Sequence, residues 1–164
     1  MRILQLCCIS NLWVEKHIVE NIDLKLGKDV FDLSDDYGKN FDLVCAAPPC
    51  DQFTMAAAWM WEDNPEYFIS VAKKCFQICI KSGKPWFLEN PPGRIEKFLP
   101  ELKQYRVLTW VGNITNKQYV FYSNFLILQR PASRFGKPEK YPRSKTKREA
   151  WQPDFIENVK ACLF

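Results

Sequence analysis

Phe41-Asp42-Leu43-Val44-Cys45-Ala46-Ala47-Pro48-Pro49-Cys50 is the stretch on which the fold class turns. Its first six residues form a short apolar run, the pattern of a buried strand in a parallel sheet. Pro48 and Pro49 follow after Ala47. Each proline ring fixes φ near about −65° and removes a backbone donor, so strand pairing stops there and the chain stiffens. Cys50 is then held at a strand end. That placement suits a nucleophile, because the thiolate is the reactive form of cysteine. It equally suits a small buried thiol, since free cysteine is among the most buried residue types. Both roles stay open on these residues alone.

The pattern on either side alternates strands and helices. Ile3 to Cys7 reads as a strand, Trp13 to Asn21 as a helix capped by Ser10 or Asn11, and Asp29 to Leu33 as a short strand. Asn64 caps and Pro65 opens a long helix. Phe68, Val71, Ala72, Cys75, Phe76 and Cys79 recur through it at helical spacing, and Gly83 stops it. Pro85 to Glu89 is a second buried strand. Ile95 to Leu102 suits a short helix, and Tyr105 to Val111 and Gln118 to Tyr122 alternate as strands. A Pro-rich basic loop runs from Pro131 to Trp151, and a last helix is expected over Pro153 to Leu163. Strands separated by helices predict an α/β fold: a mainly parallel sheet with helices on both faces. Ligands of such sheets sit beyond the carboxyl ends of the strands, where Cys50 and Glu89 both fall.

The 164 residues are expected to form one domain, 1–164, and a hydrophobic share of 47% excludes overall disorder. No apolar run reaches about 18 residues, so no membrane-spanning helix is expected. The apolar part of the N-terminus is short and leads to no small-residue cleavage site, which argues against a signal peptide. The seven cysteines are odd in number and contain no Cys-x-x-Cys pair, and His17 is the sole histidine. No zinc site is expected from that set, and the pattern suits a reducing, cytoplasmic compartment. Cys75 and Cys79, four apart, share a helix face and read as core. The net charge is only +4, but eight basic residues crowd one segment: Arg130, Arg134, Lys137, Lys140, Arg143, Lys145, Lys147 and Arg148, opposed only by Glu139. The segment is either a solvated surface stretch or a phosphate-binding arm.

Glu89-Asn90-Pro91-Pro92-Gly93 follows its strand much as Ala47-Pro48-Pro49-Cys50 follows its own. Two strand ends, each stiffened by Pro-Pro, carry a thiol and a carboxyl. That pairing can activate an electron-poor pyrimidine ring: a thiolate adds at C6, an acid hydrogen-bonds or protonates N3, and C5 becomes nucleophilic.

On these motifs the chain resembles the DNA (cytosine-5) methyltransferases, specifically the compact type often encoded by phages and prophages in restriction–modification settings. Ala47 to Thr54 resembles the family's catalytic loop and Pro85 to Pro91 its Glu-Asn motif. Asn116 to Tyr122 and Arg143 to Thr146 resemble later segments. The similarity spans about residues 28 to 160. It implies a Rossmann-like methyltransferase fold, with Cys50 as nucleophile, Glu89 as the N3 partner and Lys117 in place of a base-supporting arginine. Thr115 and Tyr119 replace the family's neighbouring Gln and second Arg. S-adenosylmethionine is the implied cofactor, held by Cys8, Ser10, Asp23, Asp32, Leu33 and Pro48. DNA is the implied partner, with Arg130, Arg134, Lys137, Arg143, Lys145, Lys147 and Arg148 on its phosphates. The basic loop at 130–150 stands where larger members insert a target-recognition domain, so a homodimer or partner subunit is a candidate source of target recognition.

The chain departs from the family at the loop after its first strand, Cys7-Cys8-Ile9-Ser10-Asn11, which holds no glycine; the first in the chain is Gly27. A second function class follows from that departure: a catalytically degenerate methyltransferase fold that binds DNA or regulates, with an altered cofactor site. Amino-group methylation is a third, since Asn90-Pro91-Pro92 approaches its motif, but Gly93 stands where an aromatic residue must stack. A free nucleotide in place of DNA is a fourth. The aromatic residues Trp59, Trp61, Tyr67 and Phe68 after the catalytic loop suit either core packing or stacking on bases.

Overall fold

The computed structural model describes residues 1–8, 17–111, 118–127, 159 and 162. Six strands form one sheet: β1 (Arg2–Leu6), β2 (Ile18–Ile22), β3 (Leu43–Ala46), β4 (Trp86–Asn90), β5 (Arg106–Val111) and β6 (Gln118–Ser123). Their spatial order is β2-β1-β3-β4-β6-β5. β2, β1, β3 and β4 run parallel, β6 is antiparallel to β4, and β5 is antiparallel to β6. From β1 the chain steps outward to β2 and then returns to β3 on the other side of β1. The strand order therefore reverses between β1 and β3, which makes their carboxyl ends a topological switch point.

The apolar runs bury both faces of the central strands. On one face Leu4, Leu6, Val44, Ala46, Trp86 and Leu88 meet α1 (Glu66–Ser82), which contributes Val71, Ala72, Cys75, Phe76, Ile78 and Cys79. This face is sealed by aromatic edges: Phe76, Trp86 and Tyr105 meet pairwise with ring centroids 5.1–5.8 Å apart. On the opposite face Ile3, Leu43, Cys45, Phe87, Tyr119 and Phe121 pack with Ile127 and with Val159, which is helical. Alternate residues of one strand thus serve opposite layers, as the two-residue period of a strand requires. Gly83 ends α1 in the left-handed conformation (φ 63°), with its N–H donating to the Ile80 carbonyl. No helix among the described residues is long and apolar enough to cross a membrane.

Four local expectations are corrected. Residues 18–21, expected inside a helix over Trp13–Asn21, belong to strand β2; residues 13–16 lie outside the described set. Ile18, Val19 and Ile22 are β-branched, and pairing along the whole of β1 outweighs local helical spacing. Asp29 to Leu33 is not a strand but a 3-10 turn over Val30–Asp32. The Asp29 side chain accepts from the Phe31 N–H at 3.0 Å, which turns the chain. Asn64 does not cap α1 through its side chain: Pro65 is the capping position, and Asn64 Nδ2 donates to Glu66 Oε1 at 2.9 Å. Ile95 to Leu102 splits into α2 (Ile95–Phe98) and a 3-10 turn over Pro100–Tyr105, because Pro100 drives Leu99 out of the helical region (φ −126°, ψ 72°).

Candidate functional site

The carboxyl ends of the four parallel strands gather the candidate groups. Cys7 and Cys8 follow β1, Asp23 follows β2, Pro48 and Cys50 follow β3, and Glu89 is the penultimate residue of β4. Ala46 pairs with Leu88, so Cys50 and Glu89 leave adjacent parallel strands. Glu89 is 7% exposed. Cys8 lies close enough to Glu89 and Asp23 for their charges to act on it: burial pushes its thiol far above the ordinary range, and the carboxylates of Glu89 and Asp23 add to that shift.

Cys7 has φ 54° and is the sole non-glycine residue with positive φ among those described. The chain turns off β1 in a conformation that glycine adopts without steric cost, and cysteine adopts it here. Its N–H donates to the Ile22 carbonyl at 2.8 Å, which ties the turn to β2, and its Sγ lies 3.7 Å from Cys75 Sγ. Asp23 sits at the end of β2, where an acidic residue can meet ribose hydroxyls. Its side chain also accepts from the Lys25 N–H at 2.9 Å. Asp32 is exposed at the end of its 3-10 turn, and Leu33 packs half-buried on the α1 side of the sheet.

The two Pro-Pro turns are joined to each other. Asn90 is fully buried, and its Nδ2 donates to the Pro48 carbonyl at 3.2 Å. Its Oδ1 is buried with no hydrogen-bond donor among the described residues. Thr54 and Gly93 form an isolated antiparallel bridge. The Arg94 N–H donates to the Phe53 carbonyl at 2.9 Å and the Met55 N–H to the Pro92 carbonyl at 3.1 Å. At Gly93 a Cβ would stand 2.7 Å from the Phe53 carbonyl carbon and nearer still to its oxygen. Only glycine admits so close an approach. Cys50 itself is half-buried, and its carbonyl accepts from the N–H groups of Phe53 and Thr54, both at 2.8 Å, which closes a tight turn behind it.

Beyond that turn the aromatic residues divide. Phe68 packs half-buried against the core, and Trp61 donates from Nε1 to the Thr54 carbonyl at 3.2 Å. Trp59 is 71% exposed, and Met55, Met60 and Tyr67 are exposed with it. Core packing therefore accounts for only part of the cluster.

Ser10, Asn11, Thr115, Lys117 and the basic residues Arg130, Arg134, Lys137, Arg143, Lys145, Lys147 and Arg148 lie outside the described residues. Gln52 and Arg94, which bind the two turns together, have no assigned role in the sequence pattern, where Gly93 stands out only as the lack of an aromatic residue. A glycine followed by a lone arginine directly after a Pro-Pro turn was the available signal.

No protein-family model and no curated protein sequence matches the chain.

Proposed function

We propose that this chain is an S-adenosylmethionine-dependent DNA (cytosine-5) methyltransferase of Rossmann-like fold. One observation carries this reading: a half-buried thiol and a buried carboxyl stand on neighbouring parallel strand ends, with their turns locked together through Asn90, Gly93 and Arg94. A switch point between β1 and β3 is where a Rossmann-like sheet places its ligand.

The residues present suit the cofactor in part. Asp23 at the end of β2 is available to ribose hydroxyls, the left-handed turn at Cys7 opens the end of β1, and the buried acceptor Asn90 Oδ1 suits a ligand N–H. Cys8, Leu33 and Pro48 would line the apolar side. S-adenosylmethionine supplies an electrophilic methyl group to C5 of the target base.

The protein's own residues prepare that base. The Cys50 thiolate forms a bond to C6, and the ring π-electrons shift toward C5 and N3 while Glu89 hydrogen-bonds or protonates N3. After methylation, loss of the C5 proton to water and departure of the Cys50 thiolate restore the ring. A target base must leave the duplex to reach such a pocket. Exposed Trp59 and Met60, on the segment that follows Cys50, offer a stacking face to the neighbouring bases.

A second reading has its own support. Only residues 7–17 carry the chain from β1 to β2, at the lower limit of about a dozen residues for a parallel crossover. So short a crossing, with cysteine at the left-handed turn, favours a DNA-binding or regulatory protein with an altered cofactor site.

A duplex carrying 5-fluorocytosine separates the two. Fluorine at C5 cannot leave as a proton, so an active enzyme with S-adenosylmethionine forms a covalent adduct that resists denaturation, and Cys50→Ala forms none. Absence of any adduct, with no heat of S-adenosylmethionine binding, would refute the enzyme and leave the second reading.

A further inference from the structure

The geometry points to Arg94 as the positioning residue that holds the Cys50 turn closed, a role that rests on the reading of Cys50 as the nucleophile. Arg94 begins the segment that leads from the Glu89 turn into α2. Its half-buried side chain crosses to the Cys50 turn. Nε donates to the Gln52 carbonyl at 2.9 Å, and Nη2 donates to Gln52 Oε1 at 3.3 Å and to the Glu62 carbonyl at 2.6 Å. The guanidinium lies 4.5 Å from the centre of the Trp61 ring and 5.2 Å from that of Phe98.

Gln52 completes the clamp. It is buried, its Nε2 donates to the Met60 carbonyl at 3.0 Å, and its Oε1 accepts from the Glu62 N–H at 2.8 Å. One guanidinium and one amide thus close the segment from Gln52 to Glu62 into a loop. The anchor point lies two residues from Cys50, and the partner lies five residues from Glu89. The arginine fork serves three acceptors in a fixed plane. Lysine, a single point donor on a flexible stem, cannot span them. The clamp couples the thiol-bearing turn to the carboxyl-bearing turn, so the separation of the two reacting groups depends on Arg94 without Arg94 touching the base.

The test compares the native protein with Arg94→Lys, Arg94→Met and, as control, Lys97→Met, whose ammonium lies 5.7 Å from the Phe98 ring centre. Each is treated with iodoacetamide under native conditions, and alkylation of every cysteine is followed by peptide mass spectrometry. Cys45, Cys75 and Cys79 are fully buried and report global opening. The expected result is a rise of roughly tenfold or more in Cys50 alkylation in both Arg94 variants, from loss of charge-assisted hydrogen bonds. The three core cysteines stay protected, and Lys97→Met matches the native protein. Unchanged Cys50 alkylation overturns the role, and so does labelling of Cys45, Cys75 and Cys79 in step with Cys50. Adduct formation on 5-fluorocytosine duplex is measured on the same proteins. Arg94→Lys is expected to slow the trapping rate at saturating DNA by a similar factor, while the DNA concentration giving half the maximal rate stays as it was. If the native protein traps nothing, the methyltransferase reading fails, while alkylation still decides whether Arg94 closes the turn.

Discussion

Replacing Gly93 by alanine tests how closely the two turns approach. The added Cβ would lie 2.7 Å from the Phe53 carbonyl carbon and 3.1 Å from Thr54 Cα, and nearer than either to the Phe53 oxygen. These neighbours are backbone atoms of a turn already closed by two hydrogen bonds onto the Cys50 carbonyl, so they cannot rotate aside as a side chain would. The turns must part. Parting them breaks the bonds from the Arg94 N–H to Phe53 and from the Met55 N–H to Pro92. Two net backbone hydrogen bonds are worth about 2 kcal/mol, and forcing a methyl group into a packed contact costs about 1–3 kcal/mol more. The expected loss is about 3–5 kcal/mol, which at about 2 kcal/mol per molar lowers the urea midpoint by about 1.5–2.5 M. Fluorescence from the tryptophans and far-UV circular dichroism would follow the unfolding. On the proposed methyltransferase reading, adduct formation on 5-fluorocytosine DNA should fall as well, because parting the turns displaces the thiol from the carboxyl. A Gly93→Ala protein with the native midpoint and the native trapping rate would refute the close approach.

Three further outcomes are expected. Cys7→Gly removes the cost of a Cβ in the left-handed region, about 1–2 kcal/mol, against about 0.5–1 kcal/mol of added unfolded-state entropy and the loss of the Cys7 side chain's packing against Cys75 and the core; these terms nearly cancel, so its urea midpoint should stay close to the native one, and a fall of more than about 1 M would contradict that account. Asn90→Asp sets a carboxylate against the Pro48 carbonyl at a fully buried position; the protein should lose about 3 kcal/mol or more at neutral pH, and a native midpoint would show that the Asn90–Pro48 bond carries nothing. Asp35 accepts hydrogen bonds from Lys74 at 2.6 Å and Lys81 at 2.7 Å, which lower its pKa from 3.8 to about 2. A folded pKa below the unfolded one adds stability that is complete above pH 3.8 and is lost as the pH falls through about 2. Urea midpoints measured between pH 5 and pH 2 should therefore fall less steeply in Asp35→Asn; parallel curves would remove Asp35 from acid unfolding.

What was legible in the sequence was local. A six-residue apolar run ended by Pro-Pro marks β3, helical spacing closed by Gly83 marks α1, and Cys50 and Glu89 stand at strand ends because their motifs follow buried strands directly. These signals survive because strand and helix periods lie within a few residues of one another. Pairing decided the rest. Ile18 to Ile22 is a strand because β1 lies beside it, and no pattern within those five residues announces a parallel neighbour. Asp23 reaches the end of β2 only as a consequence. Strand order and direction are invisible locally, so the reversal between β1 and β3 could not be read from the chain. The same holds for the partners of Arg94, whose acceptors lie 32 and 42 residues away, and for Cys7 and Cys75, which are 68 residues apart. The sequence by itself determined which strand ends carry a thiol and a carboxyl. Tertiary structure alone decided that their turns are locked together, because that lock is built from contacts made only after distant segments pack.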